Sequence, residues 1–124
     1  MKKLLLSIAA MTAITTCNAQ KGLVLYYSET GSTKTVAEEL QKQLNADIES
    51  IEAVEPYSGN FQETIQRGQR EMQNGEWPAL KPLQKKIADY DIIFLGYPIW
   101  FGTYANPIAS LVKSNDFAGK TIVP

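Results

Sequence analysis

The chain has 124 residues, of which 44% are hydrophobic and 20% charged, with 12 Lys+Arg against 13 Asp+Glu. That length supports one domain, and the composition is that of a globular protein, not a disordered one. With no His and one Cys, the chain cannot build a Ser-His-Asp or Cys-His nucleophile pair, a Cys/His zinc site or an internal disulfide. A net charge of -1 gives no electrostatic basis for nucleic-acid binding. Any chemistry must therefore come largely from a bound cofactor.

Residues 1–20 read as a secretory signal. Lys2 and Lys3 form a basic start, Leu4 to Ile14 a short apolar core, and Cys17-Asn18-Ala19 a small-residue exit with cleavage expected after Ala19. The run is too short to span a bilayer as a mature helix. A second reading makes Cys17 a lipid-modified new N-terminus, which would tether an otherwise exported, periplasmic protein to a membrane. A buried core helix is the competing reading, but no polar residue interrupts the run with helical period. Without this segment, residues 21–124 carry 10 basic against 13 acidic side chains, a charge of -3. They also carry no Cys, which suits an oxidising compartment.

Alternating strand and helix signals follow. Gly22 to Tyr27 is a continuous apolar run of strand length, the pattern of a strand buried on both faces. Ser28 to Thr33 is a small polar loop. From Lys34 to Leu44 the residues Val36, Ala37, Leu40 and Leu44 share one helical face. Asp47 to Ile51 predicts a second strand. Asn60 to Gln73 predicts a helix with Phe61, Ile65, Gly68 and Met72 inward, an Asn60/Glu63 capping box and a stop at Asn74-Gly75. Pro82 is expected to start a short helix carrying Leu83 and Ile87. Asp91 to Gly96 is the clearest strand, followed by a loop from Tyr97 to Tyr104. Asn106-Pro107 opens a helix with Ile108, Leu111 and Val112 inward, and Gly119 to Pro124 begins one more strand. The order βαβαβαβ predicts an open, right-handed α/β sheet with helices on both faces. A covering helix is expected after the last strand, so the chain reads as part of a parent of roughly 150–200 residues.

Open parallel sheets bind ligands at the carboxyl ends of their strands, and two loops lie there. Ser28-Glu29-Thr30-Gly31-Ser32-Thr33 offers four hydroxyls, a Gly and the N–H groups of a helix start. Those are the parts of a phosphate cradle, although an ordinary Ser/Thr N-cap loop has the same composition. Gly96-Tyr97-Pro98-Ile99-Trp100-Phe101-Gly102 sets three aromatics between two glycines. They could stack on a planar ring, plug the top of the sheet or face a partner subunit. Together the loops describe a site for a phosphorylated flat-ring cofactor.

These motifs resemble the flavodoxin-like family. Ser28-x-Thr30-Gly31-x-Thr33 after an apolar strand is similar to its FMN phosphate loop. Tyr90 to Trp100 with Phe101-Gly102 looks like its third strand and first flavin-ring loop, and Gly119 to Pro124 like the start of its fourth strand. The resemblance runs from Gly22 to Pro124 and implies a doubly wound sheet of order 2-1-3-4, the family's fifth strand and last helix being missing from this chain. It implies non-covalent FMN, with the phosphate held by Ser28, Thr30, Gly31, Ser32 and Thr33. Tyr97, Pro98, Ile99, Trp100, Phe101 and Gly102 would border the isoalloxazine, Trp100 stacking on it. Gly96 or Gly102 would permit a backbone adjustment near flavin N5. The second ring loop is missing too, so a chain ending at Pro124 is expected to bind FMN weakly or not at all, and the functional reading concerns the intact parent.

The function implied is a flavin redox protein, with no residue given a catalytic role and no metal. The mixed surface charge and the segment from Pro56 to Pro82 favour an oxidoreductase acting on quinones or other small acceptors over a pure electron carrier for a larger redox partner. A remnant without FMN binding is the third reading. A signalling receiver shares the sheet order but needs an acidic pair after strand one and an Asp after strand three. The chain has Tyr27-Ser28-Glu29 and Leu95-Gly96 there. The G-x-G-x-x-G and G-x-x-x-x-G-K-[ST] nucleotide motifs are absent. Of the remaining charges, Glu29 is expected to face solvent beside the phosphate and shape the turn. Arg67 and Arg70 are expected to be solvated, or to contact a redox partner or a second nucleotide. The stretch Asn74 to Pro82, with Trp77-Pro78, reads as a surface covering loop.

Overall fold

The computed structural model describes residues 20–124. The expected signal segment, including Cys17, lies outside the described residues except for Gln20. Four parallel strands form the main sheet: β1 (Gly22–Tyr26), β2 (Asp47–Ser50), β3 (Ile92–Gly96) and, last in the chain, β6 (Thr121–Val123). Their order is β2-β1-β3-β6, which is the predicted 2-1-3-4. Three helices complete the unit: α1 (Ser32–Leu44), α2 (Phe61–Asn74) and α3 (Asn106–Ser114).

β1 is apolar throughout because it is paired on both edges and covered on both faces. Leu23, Val24 and Leu25 are at most 1% exposed. At roughly 1.5–3 kcal/mol for each fully buried aliphatic side chain, this strand with Ile93 of β3 anchors the domain. Alternation divides the core in two. Leu23, Leu25 and Tyr27 join Ile93, Ile108 and Leu111 on one face, while Val24 and Tyr26 join Ala37 and Leu40 of α1 on the other.

α1 and α2 bury narrower faces than the periodicity predicts, whereas α3 is buried from Asn106 to Leu111. On α1 only Ala37 is buried; Val36 is 69% and Leu44 48% exposed. Val36 instead borders a cavity of about 460 Å³ between α1 and the sheet, with Val24, Phe94 and Val123. Phe61 of α2 and Val112 of α3 also face out. α2 has both halves of its capping box: the Asn60 side chain accepts from Glu63 N–H at 3.0 Å, and the Glu63 carboxylate accepts from Asn60 N–H at 3.0 Å.

Two expectations are corrected. Pro82 starts no helix; the region holds a single 3-10 turn at Ile87–Asp89. The reason is tertiary. The N–H groups of Gln84 and Lys85 donate to the two carboxylate oxygens of Glu49, at 2.9 and 2.8 Å. Those amides are held to β2 instead of opening a helical turn. The expected loop from Tyr97 to Tyr104 is in fact a two-stranded hairpin, β4 (Ile99–Trp100) against β5 (Thr103–Tyr104). Its turn residues Phe101 and Gly102 have φ of 51° and 79°. Positive φ at both central positions matches the right-handed twist of flanking strands.

Tyr90 closes the layer beneath β3, its hydroxyl donating to Asp47 Oδ2 at 2.6 Å. This bond, with burial, pushes the phenol up to about 12. Unfolded phenols titrate near 10, so the folded state keeps this proton longer. Its stabilising effect is complete below about pH 10 and is lost as pH rises toward 12. We expect the urea midpoint to fall across that window, and to fall less steeply in Tyr90→Phe; an equal slope in both proteins would contradict the linkage.

Candidate functional site

The pairing of β1 with β3 sets Tyr26 opposite Gly96, and Tyr27 N–H donates to Gly96 O at 2.9 Å. The two loops predicted as one site therefore leave the sheet side by side. Gly96 permits the close approach: a Cβ there would lie 3.3 Å from Thr33 Cγ2 and 3.2 Å from Tyr26 Cβ. A larger residue would push the first turn of α1 off the end of β3.

The first loop is closed locally. Ser28 Oγ accepts from Gly31 N–H at 3.1 Å. Gly31 is the N-cap of α1, with φ 102°, in the region L side chains rarely adopt. The first helical bond runs from Thr35 N–H to Gly31 O at 3.0 Å. No side chain caps α1, in contrast to the fully capped α2. Among the described residues, the N–H groups of Ser32, Thr33 and Lys34 thus stay free at the positive end of the helix. Among the described residues, the hydroxyls of Thr30, Ser32 and Thr33 carry no hydrogen bond. Four neutral-donor positions, a left-handed Gly and an uncapped helix start fit a phosphate ester.

The second loop places its residues differently from one another. Tyr97 is half-buried and packs edge-on to Tyr104, ring centroids 6.2 Å apart. Pro98 lies beside it, half-buried, and its carbonyl closes the hairpin by accepting from Ala105 N–H at 3.1 Å. Ile99 is 67% exposed. Phe101, with its positive φ, lays its ring over α2; a Cβ on Gly68 would meet Phe101 Cε2 at 3.0 Å. Trp100 is half-buried between two tyrosines. Its centroid is 5.7 Å from Tyr27 at 90° and 5.1 Å from Tyr57 at 78°. Tyr27 and Tyr57 meet edge-on at 6.3 Å. These contacts hold the indole at the carboxyl end of β1, beside the start of the Ser28–Thr33 loop.

Tyr57 and Glu71 belong to no sequence motif. Tyr57 Oη donates to Glu71 Oε1 at 2.5 Å, and Asn106 Nδ2 donates to the same oxygen and to Gly68 O, each at 3.0 Å. Arg67 is not solvated as expected. Its Nε binds Glu71 Oε2 at 3.0 Å, its Nη1 binds the carbonyls of Glu55 and Pro56, and its guanidinium lies 3.8 Å from the Tyr57 ring centroid. Arg70 stays exposed. The i,i+4 spacing of Arg67 and Glu71 around Gly68 was the available signal; an acid on an inward face has no hydrophobic signature. Glu29 also has a partner, accepting from the Tyr27 hydroxyl. Desolvation first, then the carboxylate hydrogen bond, holds Tyr27 and Tyr57 far above the usual phenol range.

Asn106 is 1% exposed and joins α3 to α2 through both of its bonds. We expect Asn106→Ala to lower the unfolding free energy by about 2–3 kcal/mol, because two buried acceptors lose a donor. Urea denaturation checks this, and a loss well under 1 kcal/mol would show that the network does not tie the helices.

A model of the flavodoxin family, described as Flavodoxin_4, matches residues 21–124. No curated protein matches the chain. Among solved structures, a protein from Bacteroides eggerthii DSM 20697, provisionally termed a flavoprotein, is similar at 33% identity and a TM-score of 0.76, over 85% of this chain and 69% of that one. One from Bacteroides uniformis ATCC 8492, termed likewise, shares 31% identity with a TM-score of 0.75, over 85% and 70%. A flavoprotein from Lactobacillus acidophilus NCFM, solved in complex with FMN, shares 28% identity with a TM-score of 0.70, over 77% and 66%. The matched segment contains both loops and every strand of the sheet, and the chain belongs to the flavodoxin family.

Proposed function

We propose that the parent protein to which these residues belong is a redox protein that holds FMN non-covalently across the ends of β1 and β3. The observation that carries this reading is the uncapped start of α1 beside the aromatic hairpin, in a family member whose similar Lactobacillus structure is in complex with FMN. Thr30, Ser32 and Thr33 donate hydroxyls to the phosphate. The free N–H groups at positions 32–34 add backbone donors, and the helix end adds its partial positive charge. Ser28 and Gly31 shape the loop; the Gly31 N–H is itself bonded to Ser28. Such charge-assisted bonds contribute about 1.5–3 kcal/mol each, so a dianion can be held without a Lys or Arg. Tyr97, Pro98, Ile99, Trp100, Phe101 and Gly102 border the ring, with Trp100 kept upright by Tyr27 and Tyr57.

FMN, when bound, supplies one- and two-electron exchange. The protein orients it and shields it from water. Of the two redox roles, we favour reduction of quinones or other small acceptors. A cleft of about 250 Å³, lined by Pro56, Tyr57, Ser58, Glu63, Arg67 and Arg70, reaches the aromatic cluster through Tyr57 and supports a small-molecule acceptor. We further infer export, directed by residues 1–20, with Cys17 lipidation as the membrane-tethered variant.

Titration of the full-length protein with FMN, read by flavin fluorescence, tests the site. We expect Thr30→Val/Thr33→Val to weaken FMN by about a hundredfold or more while leaving the urea midpoint in place. Equal affinity would refute the phosphate assignment. Steady-state turnover of a quinone with NAD(P)H supports the oxidoreductase role, and binding without turnover would make the protein a carrier.

A further inference from the structure

A carboxylate in a phosphate loop is an electrostatic problem. Glu29 sits between Ser28 and Thr30, and among the described residues no Lys or Arg pairs with it. Glu71, the other carboxylate near the aromatic cluster, is neutralised by Arg67 at 3.0 Å. Among the described residues, the partner of Glu29 is the Tyr27 hydroxyl. Tyr27 is 6% exposed and packs in the cluster that covers the α2/α3 face of the sheet, with Tyr57, Ile108 and Leu111. The helix that opens at the phosphate loop, α1, packs against the opposite face, on Val24 and Tyr26. A carboxylate bonded to Tyr27 is therefore drawn across the strand end, away from the free amides of residues 32–34.

Resting on the site reading above, we propose that Tyr27 is a positioning residue that latches Glu29 to the α2/α3 face and so keeps the α1 start receptive to a phosphate dianion. The bond needs the phenol to stay protonated, and its burial and the carboxylate both favour that state. Without the latch, a solvated Glu29 side chain is free to swing over the loop, and its charge opposes the dianion in a salt-dependent manner. Riboflavin, which has the same ring and no phosphate, is insensitive to this repulsion. The latch therefore confers selectivity for the phosphorylated flavin as well as affinity.

The test measures FMN and riboflavin dissociation constants for the wild-type full-length protein, Tyr27→Phe, Glu29→Gln and the double variant, at low and high salt. We expect Tyr27→Phe to weaken FMN about five- to tenfold at low salt and riboflavin less than twofold, with the FMN loss shrinking at high salt. Adding Glu29→Gln to Tyr27→Phe should restore FMN affinity to within twofold of wild type. Equal losses for both flavins, or no rescue, would mean that Tyr27 acts only by packing and would overturn the latch. If Tyr27→Phe fails to fold, Glu29→Gln alone decides. Its FMN affinity should equal that of wild type because the carboxylate is already withdrawn, and a gain above threefold would show it facing the phosphate and overturn the proposal. Wild-type binding of riboflavin but not FMN, or of neither, would overturn the site reading itself and the latch with it.

Discussion

The parallel pairing of β1 with β3 is the constraint from which the site follows. With Tyr26 opposite Gly96 and Tyr27 N–H bonded to Gly96 O, the loops that leave these two strands cannot separate. One turns into α1 and, among the described residues, leaves three amides unpaired; the other folds into a short hairpin that lifts Trp100 to the sheet crest. Gly96 has no side chain to keep Thr33 away. Adjacent strands at about 4.8 Å spacing thus bring a polar cradle and an aromatic wall to within one small molecule of each other.

Around that crest the charged groups are arranged in tyrosine–carboxylate pairs. Tyr57 holds Glu71 with help from Arg67 and Asn106, and Tyr27 holds Glu29 without a cation. The first pair is structural: it ties Tyr57 to α2 at the carboxylate that Asn106 of α3 also binds, and orients the ring that packs on Trp100. The second lies at the lip of the Ser28–Thr33 loop, beside the proposed phosphate position, where a stray negative charge matters most. Buried phenols suit both tasks, because desolvation keeps them neutral donors over the whole ordinary pH range.

The parts legible from the sequence were those set by local pattern. β1 and β3 read as strands because double burial requires unbroken apolar runs, and α2 read as a helix because its capping box is a four-residue device. The start of α1 was legible because a Gly among hydroxyl residues after a buried strand marks a loop that opens a helix, and Gly31 is the N-cap. What escaped was decided by distant contacts. Glu49 captures the amides of Gln84 and Lys85, and no window around Pro82 contains that information. The hairpin was hidden because Phe101 takes a positive φ that its residue type disfavours, held by its packing on Gly68. Arg67 and Glu71 look like solvated charges until Tyr57, ten residues upstream of Arg67, is folded against them.

The central claim is that the amides at the start of α1 receive the phosphate. Backbone ¹H–¹⁵N resonances recorded during an FMN titration test it most directly. The account predicts that Ser32, Thr33 and Lys34 show the largest downfield amide shifts, with the Trp100 indole N–H moving in the same titration. Shifts confined to other parts of the chain, with these three amides unmoved at saturation, would contradict it.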